Sequence, residues 1–345
     1  MNQSIAIDHN PSPRPAWRLI NIKSISGVAA LIPIAALIFT TVILFIEALP
    51  AIKYNGFGFL IHTGWRPGNF YVNPVTTNGI AHPIGASYGA LPLIVGTIES
   101  SVLALIIAIP VSIGAAFVIV EKLPNQLSQT IGLFLEILAG IPSVIFGLWG
   151  TLVLGPYLAR DIFPFISHIA PNVIGFRFLK GNTGHGEGLL TSGIVLAIMI
   201  IPIIASTSRD LLRQVPRFTR EGGKALGFTD WETNRWISLP WIRTGLIGAS
   251  VLGLGRALGE TMAVAMTSGA VLGANPSNAF LPMTTIAATI VSQLDSALTD
   301  ATGLATRTLA ESALLLAVMA LVTNLAARML VRKVSSTALP VGRGI

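Results

Sequence analysis

Apolar residues along this chain are gathered into six long runs, at roughly 25–48, 93–120, 131–158, 189–207, 243–272 and 308–331, with polar stretches between them. Runs of 18 or more apolar residues are long enough to cross a hydrocarbon core as helices. The pattern therefore predicts an all-α membrane protein with six transmembrane helices. The first run is too long for a signal-peptide core of about 7–15 residues, and is expected to be a retained helix. Residues 1–23, polar and rich in proline, read as a disordered tail. The six spans then occupy 24–333, and 334–345 forms a second tail. Composition agrees: 52% of residues are hydrophobic and 11% charged, where soluble domains run near 25% charged. There is no cysteine, which excludes disulfides and thiolate metal sites.

Charge adds an orientation. With the N terminus inside, fifteen of the 22 Lys and Arg fall on the cytoplasmic side, six fall outside, and Arg256 lies within a span. The positive-inside rule thus places both termini in the cytoplasm. The net charge of +7 follows membrane topology and gives no reason to expect nucleic acid. The outer loops are the longer ones. Residues 50–90 carry Trp65, Phe70 and Tyr71 among prolines and glycines, as interfacial segments do. The apolar stretch Ile162 to Ile174 is too short to span and is expected to be re-entrant or interfacial.

Two charges stand out inside the fifth run, in Gly253-Leu-Gly-Arg256-Ala-Leu-Gly-Glu260-Thr261-Met. An arginine within a span costs about 2.5–3.5 kcal/mol on insertion scales, so it faces a partner, a cavity or a substrate path. On a continuous helix Arg256 and Glu260 share a face, and Glu260 would neutralise Arg256 in an empty site. The guanidinium fork suits a tetrahedral oxyanion, which points to anion transport. Ser143, after Pro142, is a candidate hydroxyl contact, and Thr261 adjoins the pair. The small-residue seams Gly255-x-x-x-Gly259 and Ala249-x-x-x-Gly253-x-x-x-Ala257 are expected to pack within the bundle. Glu99 and Glu136 sit at helical depth. A negative lining suits an anion route poorly, so structural or interfacial roles are expected for both. His185-Gly-Glu187 supplies too few ligands for a metal site.

The loop between the fourth and fifth runs, 208–241, has its own local logic. Gly227 is a natural left-handed stop for one short helix. Thr229-Asp-Trp-Glu232 has the spacing of a capping box that starts another. Pro240 marks the entry to the fifth span. The result is a helix–turn–helix knob with Phe228, Trp231 and Trp236 available for docking.

The spacing Glu221-x-x-x-x-x-Gly227, nine residues, then Ile237-x-Leu239-Pro240 resembles the EAA motif of ABC-importer permeases. Gly222-Gly223 stands where that motif usually has two alanines, which weakens an exposed helix by roughly 1 kcal/mol per glycine. Tyr88-Gly-Ala-Leu-Pro, Leu138-Ala-Gly-Ile-Pro142-Ser143 and Arg256-Ala-Leu-Gly-Glu260-Thr261-Met are similar to segments of the phosphate-transport permeases of the PstC and PstA family. The long outer loop, with Glu47-Ala-Leu-Pro50 and Trp65-Arg-Pro67, is closer to PstC. The resemblance covers about residues 25–333. It implies a type I importer fold whose coupling helices sit in a cleft of a separate ATPase. It also implies a PstA-like second permease, a PstB-like ATPase dimer holding ATP and Mg, and an external PstS-like phosphate-binding protein. The chain has no G-x-x-x-x-G-K-[ST] loop, so ATP hydrolysis is expected elsewhere and no cofactor is expected in this subunit. On the residues alone, a permease for sulfate or molybdate stays open. An intramembrane enzyme lacks a nucleophile–base pair or metal site in the spans. A secondary transporter leaves the coupling loop unexplained.

Overall fold

The computed structural model describes residues 16–77, 79–171, 177–274 and 278–336. Six helices within it are long and apolar enough to cross a membrane. Helix α1, Ala16–Asn55, opens the chain, so residues 16–23 belong to a helix and not to the expected tail. Most of its apolar surface is exposed, as suits a helix that faces lipid or a partner chain. A four-residue turn of helix, α2 (Gly58–Ile61), follows.

The segment between the first two spans, expected to be merely interfacial, is folded. Strands β1 (Trp65–Arg66), β2 (Val75–Thr77), β3 (Ile80–His82) and β4 (Ser87–Tyr88) form two antiparallel ladders, β1 with β4 and β2 with β3. Trp65 and Tyr88 are buried and pack edge to face at 5.2 Å. Burial, with Asp300 adding, pushes the Tyr88 hydroxyl above its ordinary range. It therefore stays a neutral donor, reaching the Pro67 carbonyl at 3.4 Å.

Helix α3, Leu91–Phe117, is extended by a wide π turn to Lys122 and supplies the second span. The third run divides otherwise than its hydropathy predicts. An amphipathic helix, α4 (Asn125–Ala139), ends at Gly140, and the span itself is α5, Ser143–Ile169. Pro142 explains the shift: it lacks the N–H to continue α4, and its fixed φ suits the residue just before a new helix. The stretch from Ile162 to Ile169 is thus the end of a span and not a re-entrant piece; the remainder of that expectation, 172–174, lies outside the described residues. Helix α6, Leu189–Arg213, is the most enclosed span, and α3 packs along its length. Ser112 donates to the Ile201 carbonyl at 3.1 Å, and Gly193 leaves room for Leu103.

The loop between the fourth and fifth spans holds α7 (Arg217–Ala225) and α8 (Asp230–Thr233). A π turn, Asn234–Ser238, then leads into α9, Leu239–Leu258. Beyond a break lie α10 (Met262–Thr267), α11 (Ile286–Ala297) and the last span, α12 (Leu304–Ser336). The helical part of the expected C-terminal tail therefore reaches Ser336, and 337–345 lie outside the described residues. Helix α12 packs on α1, where Asn55 Nδ2 donates to Glu311 Oε2 at 2.7 Å.

Candidate translocation site and coupling loop

The fifth span is broken where its charges lie. Helix α9 stops at Leu258 and α10 starts at Met262, with Gly259, Glu260 and Thr261 between them. Arg256 and Glu260 therefore do not share a face of one continuous helix, and among the described residues no ion pair joins them. The reason is local. Gly253, Gly255 and Gly259 followed by β-branched Thr261 give a low helix propensity just where the run needs to continue. Glu260 is 8% exposed. Arg256 is half-buried, and its Nε is enclosed without a hydrogen-bond partner.

Packing fixes the depth of the break. Helix α9 runs antiparallel to α6, with Gly245 against Leu211 and Gly253 against Ile204 and Ile200. Ala249, Gly253 and Ala257 are buried along this contact, so that seam serves intrachain packing. Gly255 meets nothing within 4 Å and leaves that face of α9 open. Continued along α6, this register brings the break beside its N-terminal half. Irregular backbone at membrane depth persists only where protein covers it or water reaches it.

Helix α10 lies beside α5 in parallel. Gly147 faces Ala263 and Met266, Gly150 faces Thr267, and Thr151 Oγ1 donates to the Met266 carbonyl at 2.7 Å. Ser143, the first residue of α5, and the break at 259–261 consequently lie at the same end of this pair. Behind α10 the backbone is clamped. Gly188 N donates to Thr267 O at 2.9 Å, Met283 N to Ser268 O at 2.8 Å, and the Ser192 and Thr267 hydroxyls meet at 3.0 Å. These hydroxyls are separated by 75 residues, and no local spacing announces them.

The two other carboxylates differ in kind. Glu136 sits on α4, outside the span, and accepts from Arg209 Nη2 at 3.1 Å. Gly132 leaves the space for that guanidinium. This gives Glu136 the structural role expected of it. Glu99, on α3, has one carboxylate oxygen buried without a partner beside fully buried Ser100 and Ser101.

At the other end of α9 the local expectations are met in detail. Gly227 has φ of 89°, and the Thr229–Glu232 capping box is complete: Glu232 N donates to Thr229 Oγ1 and Thr229 N to Glu232 Oε2. Helix α7 forms despite Gly222-Gly223. Ile237 packs on Gly223, and Leu239 and Pro240 occupy the first turn of α9. Glu221 lines a cavity of about 240 Å³ with Arg217, Arg220, Lys224, Glu121, Asp230 and Thr233. Phe218, Trp231 and Trp236 are 85%, 69% and 62% exposed.

Residues 108–336 match the model of the binding-protein-dependent transport system inner membrane component family. The phosphate transport system permease protein PstC 1 of Mycobacterium tuberculosis is 60% identical over 324 residues, covering 94% of this chain and 96% of that protein. PstC of Haemophilus influenzae is 36% identical over 321 residues, covering 93% and 95%. The crystal structure of a bacterial alginate ABC transporter with its periplasmic protein contains a chain of the same fold, with TM-score 0.55, 17% identity and coverage of 94% of this chain and 100% of that one. The chain belongs to the binding-protein-dependent transport system inner membrane components, among permeases of the PstC type.

Proposed function

We propose that this chain is the PstC-like permease subunit of an ATP-driven importer of inorganic phosphate. The observation that carries the proposal is the interruption of the fifth span at 259–261, where Arg256 keeps an enclosed, unpartnered donor, in a chain 60% identical to permeases named for phosphate transport. An oxyanion arriving at Arg256 meets planar N–H donors with no ion pair to displace first. Ser143 and Thr261 offer hydroxyls, and buried Glu260 limits how strongly a dianion is held, so that it is released.

The drive comes from other subunits. A PstA-like permease completes the path, a PstS-like protein delivers phosphate outside, and a PstB-like ATPase dimer holds ATP and Mg. Exposed Phe218, Trp231 and Trp236 suit docking in the ATPase. Closure of that dimer draws the Arg217–Pro240 knob inward and moves α9, which leaves the knob without an intervening loop. The excess of Lys and Arg on the 208–241 side supports cytoplasmic termini.

Radiolabelled phosphate uptake tests the proposal, in cells that lack their own high-affinity system and express the chain with its partners. Uptake that depends on ATP, is lost in Arg256→Gln at unchanged membrane levels, and resists competition by sulfate and molybdate is the expected result. Competition by either of those anions would reassign the substrate, and full uptake by the variant would remove Arg256 from the path.

A further inference from the structure

The knob is fastened to the second span as well as to the fifth. The π turn that ends α3 carries Glu121 and Lys122. Glu121 Oε1 lies 3.5 Å from Arg220 Nη1, and its other oxygen accepts from Asn234 Nδ2. Lys122 Nζ lies 2.6 Å from Asp230 Oδ2, whose second oxygen takes Lys224 Nζ at 2.9 Å. Arg220 Nη2 also donates to the Leu212 carbonyl at the end of α6. Thus both coupling helices and the π turn that follows them, Asn234–Ser238, are bonded to the inner end of α3.

The joint is not closely packed. Its cavity encloses about 240 Å³, and two atoms of residues lining it, Arg220 Nε and Thr233 Oγ1, are buried without partners. Arg217 and Glu221 line the same cavity, and neither forms an ion pair among the described residues. A joint with spare donors, a spare cation and a spare carboxylate can exchange partners when α7 turns, without stranding a charge. The Glu121–Arg220 pair, with side chains 15% and 21% exposed, is shielded from salt. The Lys122–Asp230 pair, 59% and 49% exposed, is not.

The other end of α3 touches the back of the site. Ile286 N donates to Thr97 Oγ1 at 3.0 Å, Gly96 lies against the Thr284 carbonyl, and Met283 N holds Ser268, one residue after α10. Helix α3 thus connects the knob to the segment that buttresses the broken span.

We infer that Glu121 is a positioning residue for transport: the Glu121–Arg220 and Lys122–Asp230 joint makes the second span a push-rod that carries movement of the coupling helices to the outer side of the 259–261 break. The inference rests on the knob being the ATPase-docking element, as proposed above.

The test uses the full complex with its partner permease, ATPase and binding protein in lipid nanodiscs. In the unmodified complex, the distance between spin labels at the outer ends of α3 and α12 is expected to change between nucleotide-free and ATP-trapped states. Glu121→Gln is expected to keep at least half of the ATP hydrolysis while phosphate transported per ATP falls about tenfold and the distance change disappears. Lys122→Glu and Asp230→Lys are each expected to lower that ratio at low salt, and the double exchange to recover part of it, because Lys224 still loses its carboxylate partner. An unchanged ratio in Glu121→Gln overturns the inference. So does a parallel loss of hydrolysis and transport, which would make the joint a docking contact only. The distance measurement needs no transported substrate, so a failure of the phosphate assignment would leave its outcome readable.

Discussion

The Ile237 side chain occupies the space that a Cβ on Gly223 would need. Two residues of the EAA-like pattern, fourteen apart, are thereby locked together, and α7 is held against the π turn that enters the fifth span. Gly222, one residue earlier, meets nothing within 4 Å.

The two glycines should therefore respond differently to alanine. Gly222→Ala gains helix propensity of about 1 kcal/mol with no opposing contact, and should raise the thermal midpoint of the purified complex with transport unchanged. Gly223→Ala gains the same propensity but pushes Ile237 Cδ1 out of its rotamer, and should be close to neutral. Combining it with Ile237→Val, which removes the obstructing methyl group, should recover the gain. A midpoint for Gly223→Ala as high as that of Gly222→Ala would show that Ile237 moves freely.

A second prediction concerns α4. Arg209 is 8% exposed as a side chain, and Glu136, 59% exposed, is one of its two carboxylate partners. Glu136→Gln should cost only about 1 kcal/mol, because Asp210 remains and solvent screens the exposed carboxylate. Gly132→Ala should cost more, since its methyl group lands on the guanidinium and leaves a buried cation to be rehoused. Thermal midpoints in low and high salt check both: the Glu136→Gln deficit should shrink with salt and that of Gly132→Ala should persist.

These cases mark what the sequence could disclose. The six spans were legible because burial in lipid leaves an unmistakable apolar run, and the capping box and Gly227 because their bonds close within a few residues. The third span was displaced by hydropathy alone, since α4 is apolar enough to extend a run that Pro142 divides. The Glu136–Arg209 and Ser192–Thr267 contacts join positions 73 and 75 residues apart, and no periodicity reports such pairs. The break after Leu258 did have a signal, three glycines within seven residues, but it was masked by the apolar character that suits a span equally well.

That signal yields a third prediction. Gly259 has φ of −91°, and a Cβ there would lie 3.7 Å from its nearest neighbour, so alanine fits the observed backbone. Alanine also favours continuing α9 by about 1 kcal/mol, which would bring Arg256 and Glu260 onto one face. Gly259→Ala should reach the membrane at normal levels and remain at least as stable, yet take up phosphate more slowly. Unchanged uptake would mean that tertiary packing, and not the glycine, ends the helix.

The N-terminal end of α3 supplies the last prediction. A Cβ on Gly96 would collide with the Thr284 carbonyl and lie 3.0 Å from Met283 Sδ. Backbone cannot swing aside as a side chain can, so α3 would have to separate from the 283–286 segment. That separation also stretches the bond from Ile286 N to Thr97 Oγ1, both buried. Overpacking and a weakened buried hydrogen bond together make Gly96→Ala destabilising by about 1–3 kcal/mol, although alanine is the better helix former. Gly114 lies on the same helix, and a methyl group added there would meet nothing within 4 Å, so Gly114→Ala should be neutral or stabilising. Thermal midpoints of the two variants, measured side by side in the same lipid, separate close backbone contact from helix propensity: equal midpoints would show that the N-terminal end of α3 is not held against the segment behind the break.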